Sequence, residues 1–267
     1  SNFSRENKKF AGSISLLITG DEEGIAINGT KKVVEYLRKS KEKIDFCLVG
    51  EPTNPNKLGE MIKIGRRGSM NGKLSVIGIQ GHVAYPNRAN NPSTGLVQIL
   101  KELKEIKFDK GTKDFQPTNL EITKIKIDNS ADNVIPGLAY ASFNIRFNNK
   151  HSSNTLKSKI NKIVKKICNK NKSKYKIEYN VSGEAFLTSP NETTYMIQNT
   201  IKKITKIKPK LSTTGGTSDA RFIRKISPCL EFGLVGKTMH KVDEVVALKD
   251  LKKLTLIYSN ILENYFK

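Results

Sequence analysis

The chain has 267 residues, 37% of them hydrophobic, with 47 Lys plus Arg against 25 Asp plus Glu, a net charge of +22. That length and apolar content allow one large domain or two modest ones with a buried core, and they exclude a disordered basic tail. A basic globule suits nucleic acid, an anionic membrane surface or acidic small ligands. With 39 Lys to 8 Arg, however, most of the charge is hydrated ammonium rather than the guanidinium fork that reads bases and phosphates.

The start, Ser1 to Phe10, is polar, lacks an initiating Met and does not read as a signal peptide, which leaves a processed product or a fragment as the expectation. Ile14 to Thr19 is an apolar run of strand type, and Thr30 to Lys39 follows helical spacing with Val33, Val34 and Leu37 on one face. Phe46 to Val49 is a second apolar strand, and Cys229 to Val235 a third. Strands of this kind alternating with helices predict an α/β layer with a largely parallel sheet, closed by a helix over about Asp250 to Tyr265.

The middle has another rhythm. Lys73 to Ile79 alternates as a strand, Pro92 to Lys107 is an amphipathic helix, and Leu120 to Ile127 and Tyr140 to Phe147 are strands. A Lys-rich helix follows, with Leu156, Ile160, Ile163, Val164 and Ile167 inward, and then a strand at Tyr175 to Val181. The order β-α-β-β-α-β is the split ferredoxin-like unit. It predicts an α+β domain over 68–182 inserted into an α/β domain formed by 1–67 and 183–267. The lysine run from Lys157 to Lys176 has no interleaved aromatics for base stacking, so a solvated helix face is expected and nucleic acid is not. No run of about 18 apolar residues occurs, so no membrane span is expected. Three scattered cysteines, Cys47, Cys168 and Cys229, argue for a reducing compartment, with Cys47 and Cys229 read as buried, inert thiols.

Polar clusters follow the apolar strands. Gly20-Asp21-Glu22-Glu23-Gly24 comes directly after Thr19, Glu51 directly after Val49, and His240 in the loop after the Cys229 to Val235 run. Such loops are where open α/β sheets place ligands, and a Glu/Glu/His set suits zinc or a similar divalent ion. Adjacent carboxylates repel unless a cation or a shared proton compensates, so one could bind metal while the other moves a proton; a plain acidic turn reads equally from spacing. His82, in Gly81-His82-Val83-Ala84-Tyr85-Pro86, is a loop-tip histidine suited to an oxyanion or a carboxylate, or merely solvated. His151 reads as a surface residue. Arg66, Arg67 and Arg146 are sparse arginines suited to carboxylates by bidentate pairing, an edge-strand ion pair being the other reading for Arg146. Gly215-Gly216-Thr217-Ser218-Asp219 opens a short helix, with Ser218 as an ordinary N-cap the common reading.

At these residues the chain resembles the M20 family of metal-dependent amidohydrolases and exopeptidases. The match runs in order through Leu16-Leu17-Ile18-Thr19-Gly20-Asp21-Glu22-Glu23-Gly24, Val49-Gly50-Glu51-Pro52-Thr53, Gly65-Arg66-Arg67-Gly68-Ser69 and the His82 stretch. It continues through Asn133-Val134-Ile135-Pro136, Asn144-Ile145-Arg146-Phe147, Gly215 to Asp219 and Thr238-Met239-His240-Lys241-Val242-Asp243-Glu244. The resemblance implies a zinc-exopeptidase-like catalytic domain with an inserted ferredoxin-like lid and dimerisation domain, a cytoplasmic homodimer formed through the lid, and two divalent metal ions, zinc or cobalt. It implies Glu22 as general base, Glu23 and His240 as ligands of one ion and Glu51 of the other. It implies His82 as the lid histidine that steadies the oxyanion in the partner subunit's site, and Asn133 as a substrate contact across the dimer. Arg66, Ser69, Tyr85, Arg146, Gly216 and Thr217 match positions lining substrate carboxylates. The Arg-Arg-Gly-Ser and His-Val-Ala-Tyr-Pro stretches favour members that cleave small succinylated amino acids, in the route to lysine, over those that cleave acetylated ones. A non-catalytic dimerisation module is the other class of reading. The family's first metal-binding His and its bridging Asp precede the Asp-Glu-Glu cluster and are absent here, so little or no hydrolysis is expected of this chain alone.

Overall fold

In the computed structural model, which describes residues 2–7, 9–24, 26–129 and 131–267, the elements run in chain order as follows. Helices α1 (Asn2–Glu6) and α2 (Thr30–Lys39) precede strands β1 (Cys47–Val49), β2 (Met61–Lys63) and β3 (Gly65–Arg66). Strands β4 (Gly68–Ile77) and β5 (Gly81–His82), helix α3 (Pro92–Glu105), strands β6 (Asn119–Lys126), β7 (Val134–Ile135) and β8 (Leu138–Phe147), helix α4 (Ser153–Lys170) and strand β9 (Lys174–Gly183) come next. Strand β10 (Phe186–Leu187), helix α5 (Glu192–Thr205), strand β11 (Lys210–Ser212), helix α6 (Ala220–Ile223), strand β12 (Cys229–Glu231) and helix α7 (Leu248–Tyr265) complete the chain. Two compact units result, one from residues 1–66 and 186–267, the other from 67–185.

The discontinuous unit holds a four-stranded sheet of order β1-β12-β2-β11, with β1/β12 and β2/β11 parallel and β12/β2 antiparallel. Its strands are short and apolar, and Ile62, Leu230 and Phe232 are fully covered by Ile197 and Ile201 of α5 and Ile257 of α7. The apolar run Ile14 to Thr19 is not a strand. A strand needs a ladder partner, and β1, the edge strand, pairs only with β12, so Leu16 and Ile18 stand 85% and 88% exposed. The helix α5 escapes periodicity analysis because threonines and lysines dilute its apolar stripe of Met196, Ile197 and Ile201.

The continuous unit is the β-α-β-β-α-β fold, an antiparallel sheet of order β6-β8-β4-β9 with α3 and α4 on one face. Strand β8 alternates strictly, with Ala139, Ala141, Phe143, Ile145 and Phe147 buried and Tyr140, Ser142, Asn144 and Arg146 on the other, polar face. Helix α4 buries Leu156, Ile160, Val164 and Ile167 and leaves Lys159, Lys162, Lys165, Lys166 and Lys170 in solvent, the arrangement its spacing predicts. His151 is not a surface residue. It is half-buried, with Nε2 3.0 Å from Asp109 Oδ2 and its ring edge-on to Phe108. The Phe147 ring packs against Gly68, where a Cβ would come within 2.2 Å of ring carbon. Gly68→Ala is therefore expected to cost about 1–3 kcal/mol by overpacking, read as a lowered urea midpoint with an unchanged slope.

Candidate active site

The loop of residues 20–29 is shaped by Asp21, whose carboxylate accepts from the backbone N–H of Ile27 (2.6 Å) and Asn28 (2.9 Å). These bonds, Asn28's foremost, hold the Asp21 carboxyl below its ordinary range. The turn leaves Glu22 half-buried and Glu23 exposed. Burial first, then the charges of Glu23 and Asp219, raise the proton affinity of Glu22 against the opposing pull of Arg221 and His240. Glu51, also half-buried, is pushed up to about 7 by burial, with Glu231, Glu22 and Glu23 adding to the rise and Arg66 opposing it. His240 Nε2 lies 4.0 Å from Glu23 Oε2, and its backbone is in the left-handed region (φ 60°), which histidine tolerates better than most residues.

Glu22 thus lies within electrostatic reach of Glu23, Glu51 and His240. The carboxylate and imidazole donors have the chemistry of a divalent-metal set, and Glu51 is destabilised as an anion by burial and by the neighbouring carboxylates, which a metal ion would relieve. Among the described residues, though, no three His, Cys, Asp or Glu side chains meet closely enough to hold an ion. The donors fit in kind.

Beneath them sits a buried network that sequence reasoning did not assign. Glu231, 1% exposed, is bound by Nε and Nη2 of Arg66 and accepts from Ser218 Oγ at 2.6 Å. Nη1 of Arg66 donates to Thr214 O (3.2 Å). Gly215 has φ +105°, and a Cβ there would come within 2.4 Å of Arg66 Nη1, so the loop passes the guanidinium only as glycine. Arg66 is therefore closed around Glu231 rather than open to a ligand carboxylate. Ser218 likewise serves Glu231 instead of capping α6, whose N-cap is Asp219 without a side-chain capping bond. An acid inside the apolar stretch Cys229-Leu230-Glu231-Phe232 was the available signal, since a charge in a buried strand requires a partner. Gly216 is exposed and Thr217 half-buried in the same loop.

The other site residues belong to the continuous unit, in two places. His82 pairs across to Val134 in the β5/β7 ladder, and Val83 N donates to Asn133 O (3.0 Å), which brings His82 and Asn133 together. Ala84 N–H donates to His82 Nδ1 (3.1 Å), so in the neutral ring the proton sits on Nε2, which becomes an exposed donor. Tyr85 lies beside it, ring centroids 5.8 Å apart, with Arg88 stacked at 5.2 Å from the Tyr85 ring. Ser69 and Arg146 are cross-strand partners on β4 and β8.

Residues 64–172 match the peptidase dimerisation domain of the M20 family. The chain is 79% identical over 265 residues to a succinyl-diaminopimelate desuccinylase of Pelagibacter ubique, covering 99% of this chain and 69% of that protein. It is 50% identical over 261 residues to one of Rickettsia bellii, covering 98% and 67%. Among solved structures it resembles aminopeptidase PepT from Bacillus cereus (TM-score 0.76, 17% identity, 94% of this chain and 64% of that one). It also resembles an M20 family metallo-carboxypeptidase from Sulfolobus solfataricus (TM-score 0.70, 17% identity, 92% and 69%), and these two likenesses bear on the fold alone. The fold and the carboxylate-rich loop ends are those of a metal-dependent hydrolase, and the chain belongs to the succinyl-diaminopimelate desuccinylases of the M20 family. It spans about two thirds of the length of the curated relatives it matches. No helix among the described residues is long and apolar enough to cross a membrane.

In the metal-free chain, Glu51 ionises against its preference. A carboxyl raised to about 7 when folded and near 4.3 when unfolded lowers stability as pH rises through that interval. Glu51→Gln is accordingly expected to raise the thermal midpoint at pH 8 and to leave it unchanged at pH 4, measured by circular dichroism in chelator.

Proposed function

We propose that the whole protein, a cytoplasmic homodimer joined through the lid unit, hydrolyses N-succinyl-LL-2,6-diaminopimelate to succinate and LL-2,6-diaminopimelate. The observation that carries this reading is Glu22, half-buried and of raised proton affinity, among Glu23, Glu51 and His240 in a chain 79% identical to a desuccinylase. Glu23, Glu51 and His240 would hold part of a pair of zinc or cobalt ions, which when bound supply Lewis-acid polarisation of the amide carbonyl. Glu22 takes the proton of the attacking water and returns it to the departing amine nitrogen. His82, its Nε2–H fixed as donor by Ala84, steadies the oxyanion. Ser69, Tyr85, Asn133, Arg146, Gly216 and Thr217 orient the substrate, whereas Arg66 acts by holding Glu231.

Succinate release from the succinylated substrate, run beside acetate release from N-acetylornithine, tests the assignment in the whole protein. Preference for the succinylated substrate is expected. Preference for acetylornithine would reassign the chain to a deacetylase.

A further inference from the structure

We propose that Asp219 is a positioning residue for the loop of residues 20–29. Through the Thr30 hydroxyl it fastens the two ends of the segment that carries Glu22 and Glu23. This rests on the hydrolase reading above and concerns a buried acid that the mechanism does not use.

The loop leaves the chain after Thr19 and rejoins it at Thr30, the first residue of α2. The two threonine hydroxyls meet at 3.1 Å, and Thr30 Oγ1 donates to Asp219 Oδ2. A hydroxyl carries one proton, and a carboxylate accepts. The Thr30 proton is committed to Asp219, so Thr19 is the donor to Thr30. The three side chains form one directed chain, and its last step joins residues 189 apart in sequence.

The backbone shows the same closure. Gly29 brings the end of the loop against its start, where a Cβ would come within 3.1 Å of Asp21 Cβ and 3.4 Å of Thr19 Cβ. Inside the loop Ala26 has φ 53°, in the left-handed region that a Cβ disfavours. Backbone of that kind persists where its surroundings over-determine it. The Asp21 carboxylate supplies bonds within the loop, to Ile27 and Asn28. The Asp219 chain ties the closed loop to α6, whose N-cap is Asp219.

Burial separates this chain from a surface contact. Thr30 is 3% and Asp219 8% exposed. A buried carboxylate is costly unless it is paired or hydrogen-bonded. Its neighbour Glu231 is met by Arg66, whereas Asp219 forms no ion pair among the described residues and receives the Thr30 hydroxyl. Glu22 and Glu23 lie between the two fastened ends, so releasing either end displaces the base and the adjacent metal donor together. Misplacing a reacting group by about 1 Å costs about 10²-fold in rate, and losing a group that orients a metal ligand costs about 10–100-fold in metal affinity or activity.

The test uses three variants of the whole protein. Thr30→Val keeps the shape and removes the hydroxyl, Thr30→Ser keeps the hydroxyl, and Thr19→Val breaks the other link at a half-buried position. Each is measured for zinc affinity by chelator competition, for kcat and KM of succinate release, and for hydrogen exchange at the Ile27 and Asn28 amides. Thr30→Val is expected to weaken zinc binding about 10–100-fold and to speed exchange at both amides. Its kcat is expected to fall by about tenfold or more with KM little changed. Thr19→Val is expected to act in the same direction, and Thr30→Ser to stay close to native. A clamp that is merely structural lowers the thermal midpoint and leaves the zinc affinity and kcat of the folded protein unchanged, and that result overturns the proposal. So does a Thr30→Ser protein as impaired as Thr30→Val. If Thr30→Val does not fold, Thr19→Val decides: native zinc affinity and kcat there overturn the proposal. If zinc affinity and exchange follow the expected pattern while the whole protein releases no succinate, the hydrolase reading fails and the clamp stands.

Discussion

Replacing Glu22 by Gln in the whole protein is expected to lower kcat for succinate release by about 10²–10⁴-fold with KM little changed. The amide keeps the size and hydrogen-bonding reach of the side chain but cannot accept a proton, and no described group nearby is equally poised. Glu23 is exposed, and Glu51, raised to about 7 by burial and by the charges of Glu231, Glu22 and Glu23, is placed among the metal donors. Rapid-mix and steady-state kinetics with the native substrate check this. A Glu22→Gln enzyme retaining more than about a tenth of the native kcat would remove Glu22 from the base role.

Arg66→Ala is expected to be the most damaging single truncation for stability, at about 3–5 kcal/mol. It strips the guanidinium from Glu231, whose carboxylate is 1% exposed and would keep, among the described residues, the Ser218 hydroxyl as its one hydrogen-bond donor. The loss follows from an uncompensated buried charge rather than from the strength of the pair. The double change Arg66→Met with Glu231→Leu should therefore recover most of it. Urea unfolding of the three chains at one pH distinguishes the cases. If Arg66→Ala costs less than about 1 kcal/mol, the pair is acting like a solvated surface bridge.

Much of the fold is written in local pattern. The strict alternation of β8 and the helical spacing of α4 each fix a buried face, and both are found where the residues predict them. The run Ile14 to Thr19 has equal strand character and forms none, because pairing is a property of the neighbour and not of the segment. β2 and β11, at three residues each, are too short to show any period, and α5 is masked by polar residues on its stripe.

The candidate site divides in the same way. Glu22, Glu51 and His240 announce themselves by position, since each sits in a loop beyond an apolar run. What no spacing reveals is that Arg66 reaches across 165 residues of sequence to Glu231, or that Arg66 and Arg67, adjacent in sequence, serve different units. Those facts depend on which way each side chain leaves a hinge, and only the fold sets that direction.

The measurement that bears most directly on the whole account is succinate release by the whole protein from N-succinyl-LL-2,6-diaminopimelate, before chelation, after exhaustive chelation and after zinc is returned. Turnover lost on chelation and restored by zinc is the expected result, with the zinc-restored Glu22→Gln enzyme slower by about 10²–10⁴-fold. Turnover that persists in chelator, or that Glu22→Gln leaves intact, would contradict it.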